Sequence, residues 1–188
     1  MTSALLVIDA QQSFISRPFW DTSLVDQWVP AQRALIEAAE QAGIAIVRIL
    51  HAAPESHGPF DPESGQVYPL DDVAFTPAVT FIKTAHNAFS DTGLDRWLRT
   101  RQITRLAISG IRTEQCCETT ARVASDLGYQ VDFVSDATLT FPMTRNDRTW
   151  SAQDIRSRTE LVLEGRFARI IDAASLCRTW TANDTPTP

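Results

Sequence analysis

Three side chains at the ends of apolar runs could together carry out nucleophilic chemistry: Asp9, Lys83 and Cys116. Lys83 is the one lysine among 17 Lys and Arg residues, and it closes the run Val79-Thr80-Phe81-Ile82. A chain that writes its other side-chain cations as Arg keeps an ammonium where a wide, permanently charged guanidinium will not serve. Asp9 follows Ala4-Leu5-Leu6-Val7-Ile8, and Cys116 lies just past Leu106-Ala107-Ile108-Ser109-Gly110. A thiol beside a carboxylate alone is pushed toward its protonated form, because both groups ionise to anions. One ammonium offsets that repulsion and lets a single proton pass between Asp9 and Cys116. Cys116 falls near the start of a predicted helix capped by Thr113, where free N–H groups, the positive helix end and a nearby ammonium favour thiolate. The same N–H groups could hold the oxyanion of a tetrahedral intermediate. Cys117 belongs to an apolar stripe with Thr120, Ala121, Ala124 and Leu127 and reads as core, while Cys177 reads as packing.

The spacing of apolar runs says what must position these groups. Residues 4–9, 44–50, 79–83, 105–110, 130–135 and 168–172 read as strands, mostly continuously apolar as in a parallel sheet buried on both faces. Helical patterns lie between them. Leu35, Ala38, Ala39 and Ala42 recur at helical spacing, with Pro30 as the opening residue and Gly43 at the end. Leu94, Trp97 and Leu98 give a second face, and Gly128 closes the helix that follows Cys116. Ser151 with Asp154 resembles a capping box ahead of Ile155–Leu163. The alternation predicts a single-domain, three-layer, doubly wound (Rossmann-like) α/β fold with a mostly parallel six-stranded sheet over residues 1–180 and a flexible tail at 181–188. In such a sheet ligands bind beyond the C-terminal strand ends, which is where Asp9, Lys83 and the turn before Cys116 fall. The segment 51–78, rich in Pro and Gly, shows no clear element and reads as a functional loop, as does 141–150.

Bulk composition excludes several classes. The net charge of −6 with dispersed arginines gives no basic face for nucleic acid. No apolar run approaches the roughly 20 residues needed to cross a bilayer. The N-terminus lacks the basic region of a signal peptide, and three cysteines, two of them adjacent, suit a reducing cytoplasm. The turn Asp9-Ala10-Gln11-Gln12-Ser13-Phe14 has no glycine, so the first strand does not lead into a dinucleotide loop.

The run Gly110-Ile111-Arg112-Thr113-Glu114-Gln115-Cys116-Cys117-Glu118-Thr119-Thr120-Ala121 resembles the nucleophile motif of the isochorismatase-like cysteine hydrolases. Val7-Ile8-Asp9-Ala10-Gln11 with Phe14 is similar to that family's opening Asp-x-Gln-x-x-Phe, and Lys83 followed by Asn87-Ala88-Phe89, Thr92 and Leu94 to its central Lys motif. The resemblance spans residues 4 to about 140. It implies an Asp9–Lys83–Cys116 triad that hydrolyses an amide-type C–N bond of a small-molecule substrate through a thioester. It also implies a cis peptide at Ile111–Arg112, with the Arg112 and Cys116 N–H groups forming the oxyanion hole, and a homo-oligomer (dimer or tetramer).

Nicotinamidases of that family bind a metal through Asp-x-His and further histidines; here the segment reads Leu50-His51-Ala52-Ala53-Pro54-Glu55-Ser56-His57 and lacks that spacing. The expectation is therefore no metal and no cofactor, although His51 and His57 with Glu55 or Asp61 would be the ligands if one bound. Gln11, Phe14, His86 and Phe141 are the candidate substrate contacts, with Phe89, Trp20 and Tyr68 as further wall candidates by position. Three other readings stay open: isochorismate-type vinyl-ether hydrolysis, which uses the Asp and needs no cysteine, a metal-dependent nicotinamidase-like amidase, and a non-catalytic binding relative.

Overall fold

The computed structural model describes residues 2–182. Six strands form one parallel sheet: β1 (Thr2–Ile8), β2 (Ala45–His51), β3 (Val79–Lys83), β4 (Ile103–Ile111), β5 (Gln130–Leu139) and β8 (Arg169–Ile171), in the order β3-β2-β1-β4-β5-β8. The chain winds outward from β1 to β3, returns to the centre at β4, and winds outward again. The order thus reverses between β1 and β4, which opens a crevice at their C-terminal ends. Helices α1 (Thr22–Gln41) and α5 (Ala173–Ala182) cover one face, and α2 (Leu94–Thr100), α3 (Glu118–Asp126) and α4 (Ala152–Leu163) the other.

β1 shows why the pattern reads as it does. Leu5 and Val7 enter the core under α1 and α5, while Ala4, Leu6 and Ile8 enter the opposite core, all at most 1% exposed. A strand with both faces buried has no polar side to display, so its sequence cannot alternate. Each fully buried Leu, Ile or Val contributes about 1.5–3 kcal/mol, and β1 does so on two faces at once.

The structure corrects four local expectations. Pro30 lies inside α1, which starts eight residues earlier at Thr22 with Asp21 accepting from Ser23 N at 2.9 Å. The first turns carry Val25 and Trp28, both buried, and the Trp28 indole donates to Ala137 O at 2.8 Å; that tertiary gain outweighs the missing N–H of an interior proline. Thr113 caps nothing: it begins a π-helical turn, Thr113–Cys117, preceded by Arg112, and its hydroxyl donates to Thr138 at 2.9 Å. The 141–150 segment contains a small antiparallel hairpin, β6 (Met143–Arg145) with β7 (Arg148–Trp150). The 51–78 segment holds two 3-10 turns and is strapped to the turn after β1 by Gln12 N to Tyr68 O at 2.8 Å and Leu70 N to Ala10 O at 2.9 Å. The capping box at Ser151 and Asp154 is present and opens α4. Of the expected tail, Thr181 and Ala182 continue α5, and 183–188 lie outside the described residues.

Candidate active site

Three strand ends converge at the crevice. Asp9 follows β1 in a left-handed conformation (φ 50°) while its N–H still donates to Ile49 O at 2.9 Å, so the carboxylate turns out of the sheet just past the last pair. Lys83 ends β3, opposite His51 at the end of β2. β4 delivers the π turn, in which Gln115 N and Cys117 N both donate to Arg112 O at 3.2 Å. The peptide bond between Ile111 and Arg112 is cis. Gly110, at φ 118°, lets β4 approach β1 there: a β-carbon at this position would sit 1.9 Å from Ile8 O.

The three predicted groups meet. Lys83 Nζ lies 2.9 Å from Asp9 Oδ2 and 3.5 Å from Cys116 Sγ, with Lys83 fully buried, Asp9 1% and Cys116 7% exposed. Burial raises the Asp9 carboxyl above its ordinary range although Lys83 pulls it down, so Asp9 is a stronger base than a free carboxylate. Burial alone would lower Lys83, but the Asp9 carboxylate above all offsets this, and Lys83 is raised and held as ammonium. Burial, then the Asp9 carboxylate, push the Cys116 thiol well up, and Lys83 opposes them only in part. The resting sulfur therefore keeps its proton, which corrects the expectation of a thiolate held by the helix end and the ammonium. Asp9 Oδ1 is buried with no partner.

The other sequence candidates divide. Gln11 is fully buried and its amide is spent: Nε2 donates to Ser13 Oγ at 2.8 Å and His51 O at 2.9 Å, and Oε1 accepts from His51 N at 2.7 Å. It braces the end of β2 and has no group left for a substrate. Phe14 is buried edge-on against Phe60, with ring centroids 5.0 Å apart. Phe141 has no exposed surface, packing against Phe19 at 5.2 Å and Trp20 at 5.5 Å. Both aromatic rings belong to the core under α1, where burial claimed the surface a pocket wall would need. His86 is exposed and stacks on the His51 ring with centroids 6.1 Å apart, at the outer side of the cluster. Arg112 turns its side chain away into a buried pair with Glu114 at 3.1 Å, while its guanidinium lies over Phe19 at 4.8 Å. Cys117 is fully buried and Cys177 half-buried against the α1 core.

Sequence reasoning missed His51 as a member of the cluster: its Nδ1 lies 3.4 Å from Lys83 Nζ. Taken one residue further, the second strand would have placed His51 beside Lys83. As a metal set these donors do not fit. The His51 nitrogen faces an ammonium, His57 is exposed, and Asp61 is spent on the His57 and Glu63 N–H groups. Among the described residues no three His, Cys, Asp or Glu side chains gather at ligand spacing.

Comparison with known proteins agrees with this arrangement of strands. Nicotinamidase 3 of Arabidopsis thaliana is 27% identical over 197 residues, covering 96% of this chain and 90% of its own length. Ureidoacrylate amidohydrolase RutB of Cronobacter sakazakii (strain ATCC BAA-894) is 27% identical over 171 residues, covering 72% of this chain and 74% of its own. A crystal structure from Burkholderia xenovorans LB400 superposes with a TM-score of 0.88 at 26% identity, over 99% of this chain and 90% of that one. The isochorismatase domain pattern matches residues 3–174, from β1 past β8 and through every strand end that builds the crevice, and the chain therefore belongs to the isochorismatase family of hydrolases.

Proposed function

We propose that this protein is a metal-independent cysteine hydrolase that cleaves a C–N bond of a small amide, ureide or lactam on an Asp9–Lys83–Cys116 triad. The observation that carries the reading is the buried ammonium of Lys83, 2.9 Å from the Asp9 carboxylate and 3.5 Å from the Cys116 sulfur. The named activities of similar proteins, a nicotinamidase and an amidohydrolase, support it.

The steps follow from the charges. As Cys116 Sγ attacks the substrate carbonyl, its proton passes to Asp9, whose raised basicity suits the task and whose Oδ1 has no other partner. Lys83 stays an ammonium throughout and offsets the negative charge shared by carboxylate and sulfur. The carbonyl oxygen becomes an oxyanion, held by the N–H groups of Arg112 and Cys116. Collapse breaks the C–N bond, Asp9 returns the proton to the departing nitrogen, and a thioester to Cys116 remains. Water then attacks the thioester, giving its proton to Asp9; the acid leaves and the sulfur regains its hydrogen.

A panel of small amides and ureides, read by release of ammonia or amine, tests the proposal. Turnover is expected in the native enzyme with and without EDTA and is expected to be abolished in Cys116→Ser and in Asp9→Asn. On an enol-ether acid, read by release of its carbonyl product, full activity in Cys116→Ala together with loss in Asp9→Asn would instead mark the vinyl-ether chemistry.

A further inference from the structure

The Lys83 ammonium carries three N–H bonds. Asp9 Oδ2 at 2.9 Å and Cys116 Sγ at 3.5 Å take two of them, and His51 Nδ1 stands at 3.4 Å from the same nitrogen. We propose that His51 is a positioning residue for this centre: as its Nε2–H tautomer it accepts the third Lys83 N–H through Nδ1 and so fixes the ammonium between carboxylate and sulfur. The proposal rests on the cysteine-hydrolase reading above, but its central contact can be measured with no substrate present.

The surroundings of His51 suit a fixed acceptor. It ends β2 in register with Lys83 on the neighbouring strand, so the two side chains leave the sheet side by side. Both backbone polar groups of His51 are clamped by the Gln11 amide, at 2.7 Å and 2.9 Å. The ring packs edge-on with Phe60, with centroids 5.7 Å apart, and is stacked with His86 at 6.1 Å. With Nδ1 turned to an ammonium, the ring proton belongs on Nε2. Burial, then the Lys83 charge, lower the ring's affinity for a second proton, so at neutral pH it remains an acceptor.

The need for a third acceptor follows from the geometry. Lysine has a flexible stem, and its ammonium must stay near Asp9 and Cys116 while a proton passes between them. The contact to sulfur is long and weak, so two acceptors leave the nitrogen free to swing about the Asp9 bond. A third, from a rigid ring on an adjacent strand, defines a tripod. Gln11 then has a role the sequence does not reveal: it holds the residue that holds Lys83.

Because the chain contains one lysine and three histidines, selective ¹⁵N labelling gives one ammonium signal and three ring patterns. The expected result is a slowly exchanging Lys83 ammonium signal and an Nε2–H ring at His51 in the native protein. His51→Asn, whose side-chain oxygen can take the place of Nδ1, is expected to keep the ammonium signal, and His51→Leu to lose it to exchange with water. On the best substrate of the panel, kcat should fall roughly 100-fold in His51→Leu with KM changed by less than about 2-fold, as expected when a reacting group is misplaced rather than binding lost. His51→Asn should recover most of that loss. An Nδ1–H tautomer at His51 in the native protein would overturn the proposal, as would an unchanged ammonium signal and kcat in a folded His51→Leu. Should His51→Leu fail to fold by thermal melting, the native tautomer and the His51→Asn spectrum decide. Failure of the hydrolase reading looks different: Cys116→Ser keeps its turnover while the Lys83 and His51 spectra stay as expected.

Discussion

At the scale of single residues, the site turns on which proton sits where. Lys83→Arg keeps a positive charge but replaces a compact donor with a planar fork in a fully buried space, 2.9 Å from Asp9. We expect turnover to fall at least 100-fold, with a thermal midpoint close to native; near-native activity in that variant would count heavily against the triad. Asp9 must be ionised to accept the thiol proton, and burial raises its pKa. Activity is therefore lost as pH falls through a value above the ordinary carboxylate range, and a pH profile of kcat/KM should show that acid limb displaced upward from 3.8. The meeting of Asp9, Lys83 and Cys116 was legible because each breaks a local pattern: a lone lysine, a carboxylate closing a strand, a thiol after Gly110. Its electrostatics were not. A helix end and an ammonium argue for thiolate, while burial and the neighbouring Asp9 carboxylate, neither visible in residue spacing, push the thiol the other way. Gln11, Phe14 and Phe141 show the same limit. Residue type says a side chain is polar or aromatic, while its neighbours decide whether that capacity is already spent.

At the scale of elements, the six sheet strands were readable because strands buried on both faces must be apolar throughout. The local geometry around them was less so. The π turn at Thr113–Cys117 and the Met143–Trp150 hairpin depend on a few backbone angles, such as Asn146 at φ 54°, that composition does not announce. Pro30 misled for a related reason: its intrinsic cost is real, but Trp28, two residues earlier, anchors the helix beside it. Gly110 is the element-scale feature most open to test. Adding one methyl there drives a carbon to 1.9 Å from the Ile8 carbonyl and demands a backbone angle that other residues avoid. Gly110→Ala should either fail to fold or lose more than about 4 kcal/mol of stability in urea melts, as only severe core lesions do. A change of under about 1 kcal/mol would mean that β1 and β4 can part without cost.

At the scale of the whole molecule, both cores lean on the same sheet. β1 supplies Leu5 and Val7 to one and Ala4, Leu6 and Ile8 to the other, so neither can melt while the other stands. We expect one unfolding transition, with circular dichroism and tryptophan fluorescence coinciding; separated midpoints would show the layers to be independent. The candidate site is assembled from strand ends 74 residues apart for Asp9 and Lys83 and 33 for Lys83 and Cys116. Among the described residues no helix is long and apolar enough to cross a membrane.

One property of the fold reaches beyond catalysis. The chain's sole lysine is sealed at 0% exposure at the end of the edge strand β3, so an endoprotease that cuts after lysine meets no target while the protein is intact. Opening the sheet uncovers one bond, Lys83–Thr84, and digestion then yields two pieces, 1–83 and 84–188. Where reclosing outpaces the protease, the rate of that single cut counts how often the molecule comes apart.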